Sequence, residues 1–216
     1  MSGPIDIYKL IESRTSIRKY KKDPVPKELI ERILNAGMHA PSGKNRQNWR
    51  FFVVQGKKRD EYLKYSQKSW LGIKDVLVKR LKPSLYEFTE RFFFTLGDAP
   101  VIIFCYSVND NEERYLTSIG SVYMAAQNMI LAAQSEGLGT CPMGAPLEIE
   151  KEVDEFLGVT DKNYTEATKG HPDSGAAIGS GVGPKPQLLC ALVLGYPDHQ
   201  PPKAKRQVEG RVTWLE

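Results

Sequence analysis

Arginine and serine alternate near the start of the chain, in the order Arg14, Ser16 and Arg18. Alternate residues of an extended segment point to the same side, so these three polar groups would face one ligand together. Guanidinium groups form paired hydrogen bonds with phosphate oxygens, and a hydroxyl group can add another. The segment therefore predicts a phosphate-binding site. The alternative is a basic turn that faces only water, as isolated charged runs usually do.

A second polar cluster lies in the loop of residues 40–47, which leads directly into an apolar, strand-like run. Pro41 and Gly43 shape a backbone that can approach a flat ligand closely. The same loop offers side chains that suit the edge of a polar aromatic ring, namely Ser42, Asn45 and Gln47. The alternative is an ordinary surface turn after a helix. Together the two clusters favour a flat ligand that carries a phosphate group.

The spacing of apolar residues predicts the elements that position these clusters. Apolar residues at three- and four-residue intervals predict helices over residues 5–12, 27–38, 58–68, 83–95, 115–136 and 147–157. Short β-rich runs predict strands at Arg50–Gln55, Val101–Tyr106 and Leu188–Leu194, with a weaker candidate at Arg211–Leu215. Few strands among many helices, without regular alternation of the two, indicate an α+β fold and not a doubly wound sheet.

Composition narrows the class of protein. The 216 residues, 41% of them hydrophobic, can bury one core without an evident boundary, so we expect a single domain over residues 1–216. The net charge of +4 is spread along the chain, which argues against a nucleic-acid partner. No run approaches the roughly 20 apolar residues of a membrane span, so we expect a soluble, cytoplasmic protein. Three cysteines without a CxxC pair and three scattered histidines predict neither a disulfide framework nor a metal site.

In this order the two clusters resemble the nitroreductase family of flavin mononucleotide (FMN) oxidoreductases. Its members carry an Arg-x-Ser-x-Arg start and, about 25 residues later, an Ala-Pro-Ser-x-x-Asn-x-Gln-x-Trp loop. The resemblance covers most of the chain and continues through Asp98–Pro100, Ile119–Ser121, Gly137–Thr140, Leu194–Pro197 and the basic run Lys203–Arg206.

The resemblance implies a central mixed, largely antiparallel sheet flanked by helices, in an intertwined homodimer with FMN at the subunit interface. One subunit would supply Arg14, Ser16 and Arg18, and the other would supply Pro41, Ser42, Gly43 and Asn45. The long helix after residue 115 carries small residues that allow another backbone to approach, at Gly120, Ser121, Ala125, Ala126, Ala132 and Ala133. The alternative for these small residues is close packing within one chain.

The resemblance also implies a role for individual residues at the flavin. Arg14 and Ser16 would bind the FMN phosphate with the basic run, in which Lys205, Lys203 and Arg206 are the candidates and the choice stays open. Arg18 would lie near flavin N1 and the C2 oxygen, where a cation stabilises the negative charge of the reduced form. The alternatives are a solvated basic tail for the run and a surface ion pair for Arg18.

A third segment, the loop Thr140–Pro146 after the long helix, would lie beside the flavin ring. Gly144 is the candidate that donates its backbone N–H to flavin N5, and for this role it is the catalytic candidate. Met143 stands where many relatives have an acidic or polar residue. The remaining expected cofactor contacts are Thr15, Pro142 and Met143. The alternative for this segment is a plain turn at the end of a helix.

The implied activity is a ping-pong transfer of hydride from NAD(P)H through flavin N5 to a nitroaromatic, a quinone or a similar electron-poor acceptor. Relatives with other chemistry leave alternatives open: reductive dehalogenation, flavin fragmentation and azoline oxidation. A protein that stores FMN without turnover is a further alternative.

The chain departs from the family pattern at residues 160–187, a long, polar, Gly-rich connection. Loops of this length often act as lids or lack fixed structure. Its Gly179–Gly183 run does not predict a dinucleotide loop, because no strand precedes it and prolines follow where a helix should begin.

Overall fold

The computed structural model describes residues 6–108, 115–159, 186–203 and 206–215. Six α-helices lie in these ranges: α1 Ile7–Ser13, α2 Lys27–Met38, α3 Gly56–Arg80, α4 Pro83–Thr95, α5 Tyr115–Ser135 and α6 Glu150–Leu157. The same ranges contain four strands: β1 Trp49–Gln55, β2 Val101–Ser107, β3 Gly139–Met143 and β4 Gln187–Gly195. The bounds of α2 and α4 are as predicted, whereas α3 continues to Arg80, well beyond the predicted residue 68.

The four strands form one sheet in the order β1-β2-β4-β3, and each neighbouring pair is antiparallel. Side chains of a strand alternate between the two faces of a sheet. On β2, Ile103 and Cys105 face the core under α2 and α5, while Ile102 and Phe104 face the core under α3, α4 and α6. Because helices cover both faces, β2 is buried throughout, and the predicted α+β class is confirmed.

Two predictions for strands were wrong. The sequence predicts a loop at 140–146, but β3 pairs there with β4 along the edge of the sheet. The strand is short and contains Pro142, which an edge strand tolerates, so β-periodicity does not reveal it. The predicted strand Arg211–Leu215 does not form within the described residues: Trp214 is 82% and Leu215 92% exposed. β-propensity has no effect without a neighbouring strand to pair with.

The segment Arg14–Tyr20 runs beside the free edge of β3. Ser16 forms a parallel bridge with Thr140, and the Ile17 N–H donates to the Thr140 carbonyl at 2.9 Å. Contact is so close at Gly139 that a Cβ there would lie 2.6 Å from a side-chain carbon of Ile17. A side chain at Gly139 would therefore push the segment away from the sheet.

On its other side, the same segment contacts a tight turn between α4 and β2. Leu96, Gly97 and Asp98 are consecutive residues with positive φ. The Gly97 carbonyl accepts from the Tyr20 N–H at 2.7 Å, and a Cβ on Gly97 would lie 2.7 Å from the Arg18 carbonyl carbon. The turn thus fixes where the backbone of Arg18 can lie.

Two sequence features fall on residues that the structure does not describe. They are the Gly-rich connection, apart from its last two residues, and Lys205. In the described ranges, no helix combines the length and the apolar character needed to cross a membrane.

Gly97→Ala should destabilise the protein more than Gly56→Ala. Both glycines have positive φ, which costs an alanine about 1–2 kcal/mol. A Cβ on Gly56 meets no atom within 4 Å, whereas one on Gly97 meets the Arg18 backbone. We expect an additional loss of about 1–3 kcal/mol at Gly97, the usual cost of overpacking. Urea unfolding of both variants measures the difference, and equal losses would show that the contact with Arg18 does not constrain the turn.

Candidate functional site

The three alternating residues of the first segment come together on the side of Cys141. Arg14, Ser16 and Arg18 are each half-buried. The Ser16 hydroxyl hydrogen-bonds to the Cys141 thiol, and both guanidinium groups act on this thiol. Thr15 lies on the other side of the segment, where it lines a cavity of about 450 Å³. Thr15 can therefore contribute to the Arg14 side only through its backbone.

Cys141 remains a neutral thiol in this environment. Burial raises its pKa, and this effect outweighs the opposing influence of Arg18, Ser16 and Arg14. The side chain is 2% exposed. This burial is that of a small apolar residue, and the hydrogen bond to Ser16 ties the thiol to the Arg14–Tyr20 segment.

The C-terminal segment brings a further cation to the same place. The pKa of the Arg14 guanidinium is lowered by burial and by the nearby charge of Arg206. Within the described ranges, neither arginine forms an ion pair with a carboxylate. Two neighbouring cations without an acidic partner, one of them partly desolvated, form a site that favours an anion.

The other cations of the basic run differ in position. Lys203 lines the cavity that also contains Thr15, His199 and Gln134, on the opposite side of the segment from the Ser16–Cys141 contact. Lys205 lies outside the described residues. Among Lys203 and Arg206, the structure therefore places Arg206 beside Arg14.

Gly144 follows the last paired residue of β3 and is exposed. A Cβ at this position would meet no atom within 4 Å, and its φ of −90° is open to any residue. The backbone conformation therefore does not require glycine at this position. A flat ligand lying against the exposed backbone would require it, because a side chain would occupy the same space. Pro142 is also exposed, but the Met143 side chain is buried in the core and leaves only its backbone for a ligand.

The loop at residues 41–47 has its own internal support. The Ser42 hydroxyl accepts from the Gln47 N–H at 2.9 Å, and the Asn45 side-chain oxygen accepts from the Gln47 side-chain amide at 3.2 Å. Lys44, Asn45 and Gln47 all have positive φ. Its exposed residues include three of the predicted contacts: Pro41, Gly43 and Asn45.

One chain does not bring this loop to the Arg14 side. Gly43 lies beside Thr117 at the start of α5, since a Cβ on Gly43 would be 3.8 Å from the Thr117 hydroxyl. Near the end of α5, the Gln134 side-chain amide donates to the Leu10 carbonyl at 3.0 Å. Gln134 follows Thr117 by seventeen helical steps, a rise of about 25 Å. The two predicted halves of the site therefore lie near opposite ends of α5.

Three residues that hold this arrangement have no role that the sequence predicts. Gly97 and Gly139 press on the Arg14–Tyr20 segment, and Arg59 binds the turn that contains Gly97. The two glycines lie in or next to segments already noted as family-like, and this placement is the signal in the sequence that points to them. Arg59 lies in a strongly charged stretch of sequence that resembles a solvated helix.

A model of the nitroreductase family matches residues 11–167. A relative from Thermotoga neapolitana that bears the name iodotyrosine deiodinase is 33% identical over 152 residues, which cover 68% of this chain and 79% of the relative.

Two solved structures share the fold. One is a nitroreductase with bound FMN from Desulfitobacterium hafniense, with a TM-score of 0.67, 22% identity and coverage of 99% of this chain and 100% of the other. The second is the FMN-dependent nitroreductase NfnB from Mycobacterium smegmatis in complex with NADPH, with a TM-score of 0.69, 18% identity and coverage of 97% and 98%.

Arg206→Gln should weaken the binding of inorganic phosphate without loosening the fold. Phosphate raises the free energy of unfolding in proportion to the logarithm of its concentration over Kd. Removal of one charge-assisted contact should raise that Kd about tenfold, or about 1.4 kcal/mol. Without phosphate, the variant should be at least as stable as the unmodified protein, because Arg14 no longer faces a like charge.

The measurement is thermal or urea unfolding at constant ionic strength, with sodium chloride replacing phosphate, since salt screens charges. Arg211→Gln removes an exposed cation from the same C-terminal segment and serves as the control. Equal phosphate dependence in both variants would exclude Arg206 from the anion site.

Proposed function

Because this chain belongs to the nitroreductase family, we propose that it binds FMN and acts as an NAD(P)H-dependent FMN oxidoreductase. The observation that carries the proposal is the convergence of Arg14, Ser16 and Arg206 near Cys141 on β3, the strand that ends next to the exposed Gly144. This arrangement fits both ends of FMN: a phosphate dianion at the cations and a flat ring at the glycine.

FMN, when bound, would supply hydride transfer between NAD(P)H and an electron-poor acceptor such as a nitroaromatic or a quinone. The chain's own residues hold the cofactor and set its electrostatic surroundings. Arg14 and Arg206 neutralise the phosphate dianion, and the Ser16 hydroxyl donates a hydrogen bond to it while its oxygen stays in contact with Cys141.

Arg18 supplies a fixed positive charge at the N1 and C2-oxygen edge of the ring. This charge favours the reduced cofactor, whose negative charge lies there. The Gly144 N–H at the end of β3 would support N5, and a side chain at this position would occupy the space needed by the ring. Catalysis then depends on orientation and electrostatics, without a separate general acid or base.

The proposed functional unit is a symmetric homodimer. The outward face of α5 carries exposed apolar residues at Leu116, Tyr123 and Met124, and the half-buried Gly120 between them has open space above it. A twofold axis across this helix would bring the start of α5 in one subunit towards the end of α5 in the other. The loop at residues 41–47 would then reach the partner's Arg14 side and complete the site.

A second candidate function is reductive dehalogenation at the same flavin. It is supported by the 33% identity with the protein named iodotyrosine deiodinase. The two functions differ in the acceptor and share the cofactor. Anaerobic assays with nitroaromatics, quinones and iodotyrosine, including measurement of released iodide, distinguish them. For either function we propose a cytoplasmic location, which agrees with three free thiols in the structure.

The purified protein should be yellow and should lose its flavin absorption when NADPH or NADH is added without oxygen. A nitroaromatic added next should restore the colour, because the cofactor passes its hydride on. Stoichiometric FMN that neither nicotinamide reduces would indicate a storage protein or another reductant. Protein that cannot be reconstituted with FMN would contradict the proposed function.

Mixed dimers should reveal whether each site uses both subunits. Arg14→Glu places a carboxylate at the phosphate, and Gly43→Trp fills the space above the loop, so each variant alone should be inactive. In a mixed dimer one site carries both changes and the other carries neither. Random assembly makes half of the dimers mixed, so co-expression should restore about a quarter of the unmodified activity.

The matched control combines Arg14→Glu with Arg206→Glu. Both changes lie in the same half of the site, so every mixed dimer has two damaged sites. This pair should show no recovery. Recovery in the control, or its absence with Gly43→Trp, would argue against a site shared between subunits.

A further inference from the structure

Arg59 is a buried cation far from the anion site. It lies on α3 and is 9% exposed. Its Nε donates to the Ala99 carbonyl at 2.8 Å, and one terminal nitrogen donates to the Thr95 carbonyl at 2.5 Å. The other terminal nitrogen pairs with the exposed carboxylate of Asp60 at 3.1 Å. One planar group therefore joins the two residues on either side of the Leu96–Asp98 turn.

That turn has little local reason to keep its shape. Its three residues have φ values of 53°, 61° and 66°, and only the central one is glycine. Non-glycine residues avoid this region unless the surrounding structure fixes them. The Thr95 hydroxyl helps by accepting from the Gly97 N–H at 3.1 Å. The Ala99 N–H also closes the turn by donating to the Leu96 carbonyl at 3.1 Å, and Arg59 adds a donor to the carbonyl on each side of it.

The turn in turn determines the position of Arg18. The Tyr20 N–H donates to the Gly97 carbonyl, and Gly97 has no room for a Cβ against the Arg18 backbone. If the turn moves, the backbone of Arg18 must move with it. A continuous series of contacts thus links Arg59 to a cation of the candidate site.

We propose that Arg59 is a positioning residue for the flavin: it fixes the 95–99 turn, which fixes Arg18 against the N1 edge of the ring. This inference rests on the proposed function. Arg59 itself would not contact the cofactor. Its effect on the flavin passes entirely through Arg18, and this gives it a signature that a purely structural residue does not share.

An arginine suits this task because one rigid group donates to two carbonyls in fixed directions. Methionine is of similar length but donates no hydrogen bond, so Arg59→Met leaves the Thr95 and Ala99 carbonyls without this donor. Lysine keeps the charge and can reach only one carbonyl at a time. The two variants should therefore form a graded series, with Arg59→Lys between Arg59→Met and the unmodified protein.

The test measures the midpoint potential of bound FMN together with the Kd for oxidised FMN. Loss of a fixed cation at the N1 edge weakens binding of the reduced form more than binding of the oxidised form. For Arg59→Met we expect the affinity for reduced FMN to fall tenfold more than the affinity for oxidised FMN. This difference lowers the midpoint potential by about 30 mV for two electrons. For Arg59→Lys we expect a threefold difference between the two affinities, which lowers the midpoint potential by about 14 mV.

A double-mutant cycle with Arg18→Met tests whether the effect passes through Arg18. In the Arg18→Met background, Arg59→Met should change the potential by a small fraction of its effect in the unmodified protein. Ser66→Ala provides the matched control, because the buried Ser66 hydroxyl also links α3 to a carbonyl of α4, that of Phe93, at 2.7 Å. It should lower stability and leave the potential unchanged.

The outcomes separate this inference from the proposed function. Protein that binds no FMN overturns both. Protein that binds FMN, responds to Arg18→Met and keeps its potential in both Arg59 variants overturns the positioning role alone. An equal shift with Ser66→Ala, or full additivity with Arg18→Met, would also overturn it. If Arg59→Met does not fold, an unchanged potential in Arg59→Lys is sufficient to reject the role.

Discussion

The contact of the Arg14–Tyr20 segment with its two glycine neighbours is the constraint on which the rest of the structure depends. The segment lies between β3 and the turn after α4. Gly139 and Gly97 approach it so closely that neither position has room for a Cβ. It has no regular element of its own beyond two isolated bridges, at Ser16 and Tyr20. Its shape is therefore imposed by the neighbours, and the directions of Arg14, Ser16 and Arg18 follow from that shape.

This packing has an electrostatic cost that only a ligand would offset. Arg14 is partly desolvated and faces the charge of Arg206, and both effects lower its pKa. Like charges held close together oppose folding in the absence of an anion. Sites of this kind lower the free energy of unfolding of the unliganded protein. Binding of an anion relieves the repulsion between the cations and so gains affinity.

The sequence predicted most of the fold and only part of the site. The amphipathic helices and the apolar strands β1, β2 and β4 follow from periodicity, since burial determines both the pattern and the element. β3 escaped because an edge strand with Pro142 has no such pattern. Alternation placed Arg14, Ser16 and Arg18 on one side correctly. The choice of Arg206 over Lys203 depends on the path of an irregular segment, which no local propensity determines.

The length of α5 gives the strongest argument for a site built by two chains. The loop at residues 41–47 is largely exposed and the Arg14 segment is half-buried, yet they contact opposite ends of one helix of 21 residues. A rigid helix cannot bring its own ends together, and a twofold axis across its middle can bring each end to the opposite end of a second copy. Gly120, near the start of the same helix, has open space where a side chain would keep another backbone away. On the proposed function, the two halves of the site are far apart within one chain, and a symmetric dimer would bring each half next to the complementary half of the other subunit.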